Sequence, residues 1–145
     1  MHKSVSINVI FVSHQKIRAL NKKYLQKDYA TDVLAFDLSN NVMFVVSSDN
    51  NDHKFLDSKK NNVAREGVYD NYLIGDIFIS TDAAIANMKR YNTSLGKELL
   101  LYIIHGILHL LGYDDKDPLH AKKMRNREDE LLCRLKGMEK KILVV

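Results

Sequence analysis

The residues best suited to metal chemistry lie in one short stretch, between His105 and Asp115. His105 and His109 are four positions apart, a spacing that puts both imidazole rings on the same face of an α-helix. The surrounding helix is apolar, and a buried imidazole without a partner would cost about 1–3 kcal/mol. A shared metal ion removes that cost. The spacing therefore predicts that both histidines bind one ion.

Asp115 is predicted to be the third ligand of the same ion. Gly112 follows His109 by three residues and allows the chain to leave the helix and turn back, so that Asp115 can reach the ion. Metzincin peptidases use the same spacing of two histidines, a glycine and a third ligand. Three protein ligands leave one position for water, which is typical of a catalytic zinc site. We therefore predict a metal-dependent hydrolase whose single ion is held by His105, His109 and Asp115.

Gly106 argues against a peptidase. It occupies the position where H-E-x-x-H zinc peptidases carry the glutamate that acts as general base. Glycine inside a helix costs about 1 kcal/mol relative to alanine, so a packing or access reason for it is expected. A peptidase would need a carboxylate from elsewhere, such as the strand that ends at Ser80. A hydrolase of another substrate, including peptide, is therefore a less favoured alternative.

The elements that position these residues follow from periodicity and capping residues. Alternating and apolar segments predict strands over residues 4–12, 33–38, 42–47 and 73–80, with a bulge or a close backbone approach at Gly75. Helical spacing predicts helices from Ser13 to about 25, from 81 or 82 to 91, from a cap within 92–94 to 111, and from Asp117 and Pro118 to about 137. Residues 48–62 are rich in Asn, Asp, Ser and Lys and are predicted to form an exposed loop or a mobile insert.

The order of these elements predicts an α+β fold. Strands come first and helices last, which favours a small mixed β-sheet packed with helices. The buried central helix would carry the histidines, in a zincin-like arrangement. The length of 145 residues is that of a single metallohydrolase domain over 1–145. A single cysteine, Cys133, excludes an internal disulfide and lies in an apolar helical pattern that predicts its burial.

The charge distribution is compatible with nucleic-acid binding. The net charge is +4, and the segment from Leu119 onward alone has eight Lys and Arg against four acidic residues. A basic face attracts phosphates without reading sequence, although an ordinary solvated helix face is the alternative explanation. The first residues lack the features of a signal peptide, and the longest apolar run is too short for a membrane span. We expect a cytoplasmic protein with no membrane partner.

Three segments resemble one known family. Residues 105–114, H-G-I-L-H-L-L-G-Y-D, resemble the signature of the YbeY family, bacterial metal-dependent endoribonucleases implicated in small-subunit ribosomal RNA maturation and ribosome quality control. Residues 20–36 resemble the family's L-N-x-x-Y-R-x-K-D-x-P-T-[DN]-V-L-[SA]-F block, and residues 74–80 resemble its L-G-D-I-x-I-S strand. The resemblance implies an α+β fold, zinc, a single-strand-specific endoribonuclease activity, and ribosomal RNA and the small ribosomal subunit as partners.

This chain departs from the family pattern at two positions. The family's third ligand is usually histidine, whereas this chain has Asp115, whose charge should weaken the acidification of a bound water. The family's arginine after the tyrosine is Leu25 here. If that arginine binds substrate phosphate, Lys27 is the nearest cation able to replace it. Lys27 is equally explained as an ordinary solvated lysine.

The sequence does not identify the general base or acid. Asp114 and Asp76 are candidates for a catalytic role, and Thr31 and Asp32 are either turn and capping residues or part of the substrate cleft. One alternative to catalysis is a ribosome-assembly factor that binds RNA and uses the metal only to hold its loop. A fourth protein ligand, such as Asp114 or His120, would favour that alternative, because it would close the site to water.

Overall fold

One five-stranded β-sheet and five helices make up the part of the chain that the computed structural model describes, residues 4–38, 43–47, 53–56, 72–115 and 117–142. In chain order the elements are β1 (Ser4–Val12), α1 (His14–Leu25), β2 (Val33–Asp37), β3 (Met43–Ser47), β4 (His53–Leu56), β5 (Tyr72–Ser80), α2 (Thr81–Tyr91), α3 (Leu95–Leu110), α4 (Pro118–Arg134) and α5 (Glu139–Ile142).

The sheet is mixed, as predicted. Its strand order is β1-β5-β2-β3-β4, with β1 parallel to β5 and the other neighbours antiparallel. β5 continues through Gly75 without a break in its pairing to β1, and its pairing to β2 ends at Gly75. A Cβ atom at Gly75 would lie 2.8 Å from Cδ1 of Leu110 and 2.9 Å from the carbonyl oxygen of Phe36. The glycine therefore marks a close approach between the sheet and α3, which was one of the two predicted alternatives.

The two faces of the sheet pack against different helices, because successive side chains of a strand point to opposite sides. One face packs against α3, and its cluster includes Val33, Ala35, Ile77, Ile79, Leu99, Tyr102 and Leu110. The other face packs against α1, and its cluster includes Ile17, Leu25, Leu34 and Phe36, with Phe78 against it. A third cluster joins α3 to α4 and includes Leu100, Ile104, Leu108 and Met124. α3 thus lies between the sheet and α4.

Side-chain caps fix the starts of the long helices. The hydroxyl groups of Ser13, Ser80 and Ser94 accept hydrogen bonds from the backbone two or three residues into α1, α2 and α3. Asp117 caps α4 by accepting from the backbone N–H of His120, with Pro118 at the first helical position, as predicted. Of the three candidate caps before α3, the structure uses Ser94. The predicted α+β fold is confirmed.

Three predictions need correction. β4 lies within residues 48–62, which the sequence analysis assigned to an exposed loop; the rest of that stretch is outside the described residues. α4 ends at Arg134 rather than near Gly137. Cys133 is exposed, not buried, because it lies about 140° around the helix from the inward-facing Glu128 at 3.6 residues per turn. Across the described ranges, every helix is too short or too polar to span a lipid bilayer.

Candidate metal centre

His105 and His109 lie one turn apart on α3 and face each other. Their Nε2 atoms are 2.9 Å apart, and the two rings meet edge to face with centroids separated by 4.5 Å. His109 is 2% exposed, whereas the His105 side chain is 20% exposed. The pair therefore lies at the boundary between the core and solvent, where an ion could be held and still be reached.

The turn after α3 brings Asp115 to the two histidines. Gly112 has a positive φ of 99°, as the sequence predicted for the residue that reverses the chain. The N–H of Gly112 donates to the carbonyl of His109, and the N–H of Tyr113 donates to that of Leu108. With the turn held in this way, one donor atom from each of His105, His109 and Asp115 lies within 4.8 Å of the other two.

The Nδ1 contacts of the two rings favour tautomers in which Nε2 is free to bind an ion. Nδ1 of His109 lies 3.1 Å from the carbonyl oxygen of Tyr113, which can only accept, so the proton is on Nδ1. Nδ1 of His105 contacts a carboxylate oxygen of Glu128, which favours a proton there as well. Two lone pairs then face each other at 2.9 Å. A cation between them removes the repulsion.

Asp115 supplies a second sign that the site fits a cation. Its Oδ1 atom is buried and has no hydrogen-bond partner. Leaving a buried carboxylate oxygen unpaired is costly. Two imidazole nitrogens and one carboxylate oxygen form a ligand set that zinc accepts. The three predicted ligands therefore fit a divalent ion such as Zn²⁺.

No fourth ligand joins this group among the described residues. His120, which the sequence analysis named as a candidate to close the site, points its Nδ1 at Asp117, 2.5 Å from Oδ2. Asp114 is in the same turn and is partly buried, but the donor group contains Asp115 and not Asp114. The geometry therefore matches a site with a position left for water or substrate.

Two other candidate residues lie away from the triad. Asp76 accepts a hydrogen bond from Asn8 at 3.0 Å. Its neighbours on β5, Gly75 and Ile77, face α3. Because successive side chains of a strand point to opposite faces, Asp76 is on the other face of the sheet. Lys27 follows α1, which packs on that opposite face. The structure does not bring Asp76 to the metal site, and it places Lys27 behind the sheet from α3.

Thr31 and Asp32 line a separate cavity of about 230 Å³, together with His14, Ala30, Asp82, Ala83, Ala86 and Asn87. The backbone carbonyl of Asp32 also accepts a hydrogen bond from the backbone N–H of Ser80, which joins the loop before β2 to the end of β5. Burial, helped by the Asp32 carboxylate, raises the pKa of Tyr102 well above its usual range, so this hydroxyl stays neutral. This placement agrees with the structural role predicted for Thr31 and Asp32. A role in the substrate cleft stays a prediction, because the triad does not line this cavity.

Glu128 contacts the metal site and was not identified from the sequence. It lies on α4, 23 residues after His105, and is only 9% exposed. A signal for it exists in the sequence. Glu128 is four residues after Met124 and three before Leu131, so it occupies the apolar face of an otherwise polar helix. A carboxylate on that face indicates a buried partner.

The basic residues of α4 are exposed. Lys122, Lys123 and Arg125 face solvent, whereas Arg127 and Arg134 both pair with Glu130 at 2.6 and 2.8 Å. The charge excess predicted from the sequence is therefore reduced on one side of the helix by ion pairs. Three cations remain available to a phosphate-rich partner.

The fold and the site together define an α+β protein with a group of three donor residues, able to hold a metal ion, at the end of a buried helix. Comparison with known proteins shows that the chain belongs to the YbeY family. A sequence profile described as Endoribonuclease YbeY matches residues 1–136. The family predicted from the three motifs is therefore confirmed.

Curated relatives named Endoribonuclease YbeY resemble most of the chain. The Salinibacter ruber protein is 31% identical over 126 residues, which are 87% of this chain and 68% of the relative. The Lysinibacillus sphaericus protein is 36% identical over 87% of this chain and 69% of its own length. This chain spans 55% of a longer Anaeromyxobacter relative, with 35% identity. A solution structure of a Thermotoga maritima protein is 27% identical and superposes with a TM-score of 0.48, covering 92% of this chain and 73% of that one.

Proposed function

We propose that this protein is a metal-dependent endoribonuclease that hydrolyses phosphodiester bonds of single-stranded RNA. Its membership of the YbeY family agrees with the activity predicted from the sequence. The observation that carries the proposal is the convergence of His105, His109 and Asp115 within 4.8 Å, with an orphaned buried oxygen on Asp115. We further propose that the ion is zinc, one per chain, in a single domain.

The residues of the chain have distinct parts in this proposal. His105 and His109 present unprotonated Nε2 atoms, and Asp115 adds a negative charge beside them. The chemistry that a bound zinc ion supplies is Lewis-acid activation of water and of a phosphoryl oxygen. Asp114, beside the third ligand in the same turn, is the candidate for proton transfer. Lys122, Lys123 and Arg125 are the candidate phosphate contacts on α4. Lys27, the candidate from the sequence, lies behind the sheet from α3 and would contact RNA away from the triad.

Ribosomal RNA is the proposed substrate, with the small ribosomal subunit as partner and the cytoplasm as location. The exposed cations of α4 support a phosphate-rich partner, because such contacts are sequence-independent and electrostatic. They do not select one RNA over another. The choice of ribosomal RNA rests on the family to which the chain belongs.

The structure gives two reasons to prefer this function over its alternatives. A metal used only to hold the loop would be expected to have four protein ligands, and among the described residues the group contains three. A peptidase would need a carboxylate near the triad, but the residue after His105 is Gly106, which packs against Ile77. Asp76, on the strand that ends at Ser80, lies on the opposite face of the sheet.

The decisive experiment measures cleavage of a single-stranded RNA by the zinc-loaded protein. We expect cleavage that a chelator abolishes and that added zinc restores. The matched control is His109→Ala protein purified in the same way, which reports contaminating ribonuclease. Equal cleavage by the variant, or by the chelated protein, would contradict the proposal. A zinc-loaded protein that binds RNA without cleaving it would favour the assembly-factor alternative.

A further inference from the structure

The contact between Glu128 and His105 joins α4 to the metal helix. Nδ1 of His105 and Oε1 of Glu128 are in direct hydrogen-bonding contact, with the two side chains 20% and 12% exposed. We propose that Glu128 is a positioning residue that holds the proton of His105 on Nδ1 and aims Nε2 at the metal. This inference rests on the proposed metal site but not on the proposed cleavage of RNA.

The surroundings of Glu128 leave it few other roles. Met124 and Leu131 precede and follow it on the same face of α4, within the apolar cluster that packs against α3. A carboxylate in such a place is tolerated when it accepts a hydrogen bond from a buried donor. Nδ1 of His105 is the donor that the structure provides. The pairing satisfies the carboxylate and the ring together.

The tautomer of His105 decides whether it can be a ligand in this site. A neutral imidazole carries its proton on one nitrogen only, and the other nitrogen is free to bind metal. An acceptor at Nδ1 keeps the proton there and leaves Nε2 as the ligand atom, 2.9 Å from Nε2 of His109. A negatively charged acceptor also makes the imidazole a stronger donor to the metal.

His109 provides an internal comparison. Its Nδ1 donates to the backbone carbonyl of Tyr113, an acceptor that no side-chain substitution removes. The two ligands of one site are thus held by different acceptors, a carboxylate for His105 and a carbonyl for His109. Changes at Glu128 should therefore affect His105 and leave the tautomer of His109 as it is.

The test measures zinc affinity by chelator competition in Glu128→Gln and Glu128→Ala. Glutamine retains an acceptor without the charge, whereas alanine removes both. We expect about a 10-fold loss of affinity for Glu128→Gln and up to about 100-fold for Glu128→Ala, the range usual for partners of metal-bound histidines. Glu130→Gln is the matched control, because Glu130 is exposed on the same helix and pairs with Arg127 and Arg134 rather than with His105. Its affinity should equal that of the parent protein.

A second measurement needs no metal. Nitrogen-15 spectra of the histidine rings report the tautomer directly. In the metal-free Glu128→Ala protein we expect His105 to lose its fixed Nδ1–H state while His109 keeps it. A residue that only holds α4 against α3 would lower the stability without this selective change. If Glu128→Ala does not fold, the zinc affinity of Glu128→Gln decides the question.

The outcomes separate this inference from the metal site on which it rests. Zinc affinity within twofold of the parent in the folded Glu128 variants would overturn the role of Glu128, provided that His105→Ala loses zinc. Zinc retained by His105→Ala would overturn the metal site and the role of Glu128 together. Selective loss of affinity and of the His105 tautomer would establish the role.

Discussion

Gly106 of α3 lies directly against Ile77 of β5. A Cβ atom on Gly106 would come within 2.8 Å of Cγ2 and 3.1 Å of Cδ1 of Ile77. Real Cβ atoms essentially never approach as closely as the first distance. The glycine thus lets α3 rest on the sheet, one residue after the first proposed metal ligand. This explains why a residue unfavourable in helices stands in the middle of the metal helix.

Gly106→Ala should therefore destabilise the protein, although alanine is the better helix former. The helix gains about 1 kcal/mol, whereas overpacking costs about 1–3 kcal/mol. We expect a net loss on the order of 1 kcal/mol in the free energy of unfolding, measured with urea. In an Ile77→Ala background the space exists, so the same substitution should be neutral or stabilising. Equal losses in both backgrounds would show that the contact with Ile77 is not the cause.

Zinc should stabilise the folded protein if the triad binds it. A ligand at 100 times its dissociation constant adds about 2.7 kcal/mol to the free energy of unfolding. We expect that increase in the parent protein, with about one zinc per chain by elemental analysis. The His105→Ala and His109→Ala proteins should show neither the stabilisation nor the metal. Full metal content in the double variant would refute the assignment.

Asp115 should tolerate histidine but not alanine. Asp115→Ala removes the ligand and should weaken zinc binding, while Asp115→His should preserve or strengthen it because imidazole is a good zinc ligand. Asp114→Ala is the matched control in the same turn. Chelator competition gives the three affinities. Weak binding in the Asp114 variant with normal binding in the Asp115 variant would mean that the other aspartate is the ligand.

RNA binding should fall steeply with salt, because phosphate contacts release counterions. Lys27→Ala and Arg125→Ala should each weaken binding by about 1 kcal/mol and lower the salt slope by about 0.7, the value for one contact to a single strand. Fluorescence anisotropy from low to physiological salt gives both quantities. Lys89→Ala is the control, because it removes one positive charge from α2, away from the proposed RNA contacts. Affinity that does not change with salt would exclude the RNA backbone as the main contact.

Asp28 should make stability depend on pH in acid. Hydrogen bonding to Arg18 and Lys22, at 3.0 and 3.4 Å, lowers the pKa of Asp28 below its usual value. A lowered folded pKa gives stability that is present above the unfolded pKa of about 3.9 and is lost as the pH falls through the folded one. Asp28→Asn should be less stable than the parent at pH 7, and the difference should be smaller at pH 3, because protonation of Asp28 removes the contribution of the ion pairs.

The measurement for Asp28 is urea unfolding at the two pH values. Asp129→Asn, which removes a carboxylate of the same charge from an exposed position on α4, should change little at either pH. A difference for Asp28→Asn that persists unchanged at low pH would show that the ion pairs are not responsible.

The sequence predicted most of the fold because its signals are local. The alternation of β1 and the caps Ser13 and Asp117 fix elements through contacts within a few residues. β4 was missed because it has only four residues in a polar stretch, and its partner β3 decides its conformation. The exposure of Cys133 depends on which side of α4 meets α3, which the apolar residues around it do not settle.

The convergence of the candidate metal ligands was predictable for the same reason. His105 and His109 are one helical turn apart, and Asp115 follows after a turn marked by Gly112. The partner of His105 could not be predicted from local signals, because Glu128 reaches this histidine only when α4 packs across α3. Asp76 was an unsuitable catalytic candidate because the pleat of β5 turns it to the opposite face, which depends on the register of the sheet.

The first turn of α3 is covered by the backbone of α5. A Cβ atom on Gly96 would lie 2.2 Å from the carbonyl oxygen of Glu139, and the carboxylate of Glu139 accepts from the N–H of Gly137. For protein engineering, this makes the last residues a poor place to trim. A version cut at residue 136, where the match to the family profile ends, would uncover the start of the helix that carries the histidines. An affinity tag fused after residue 145 would leave that cover in place.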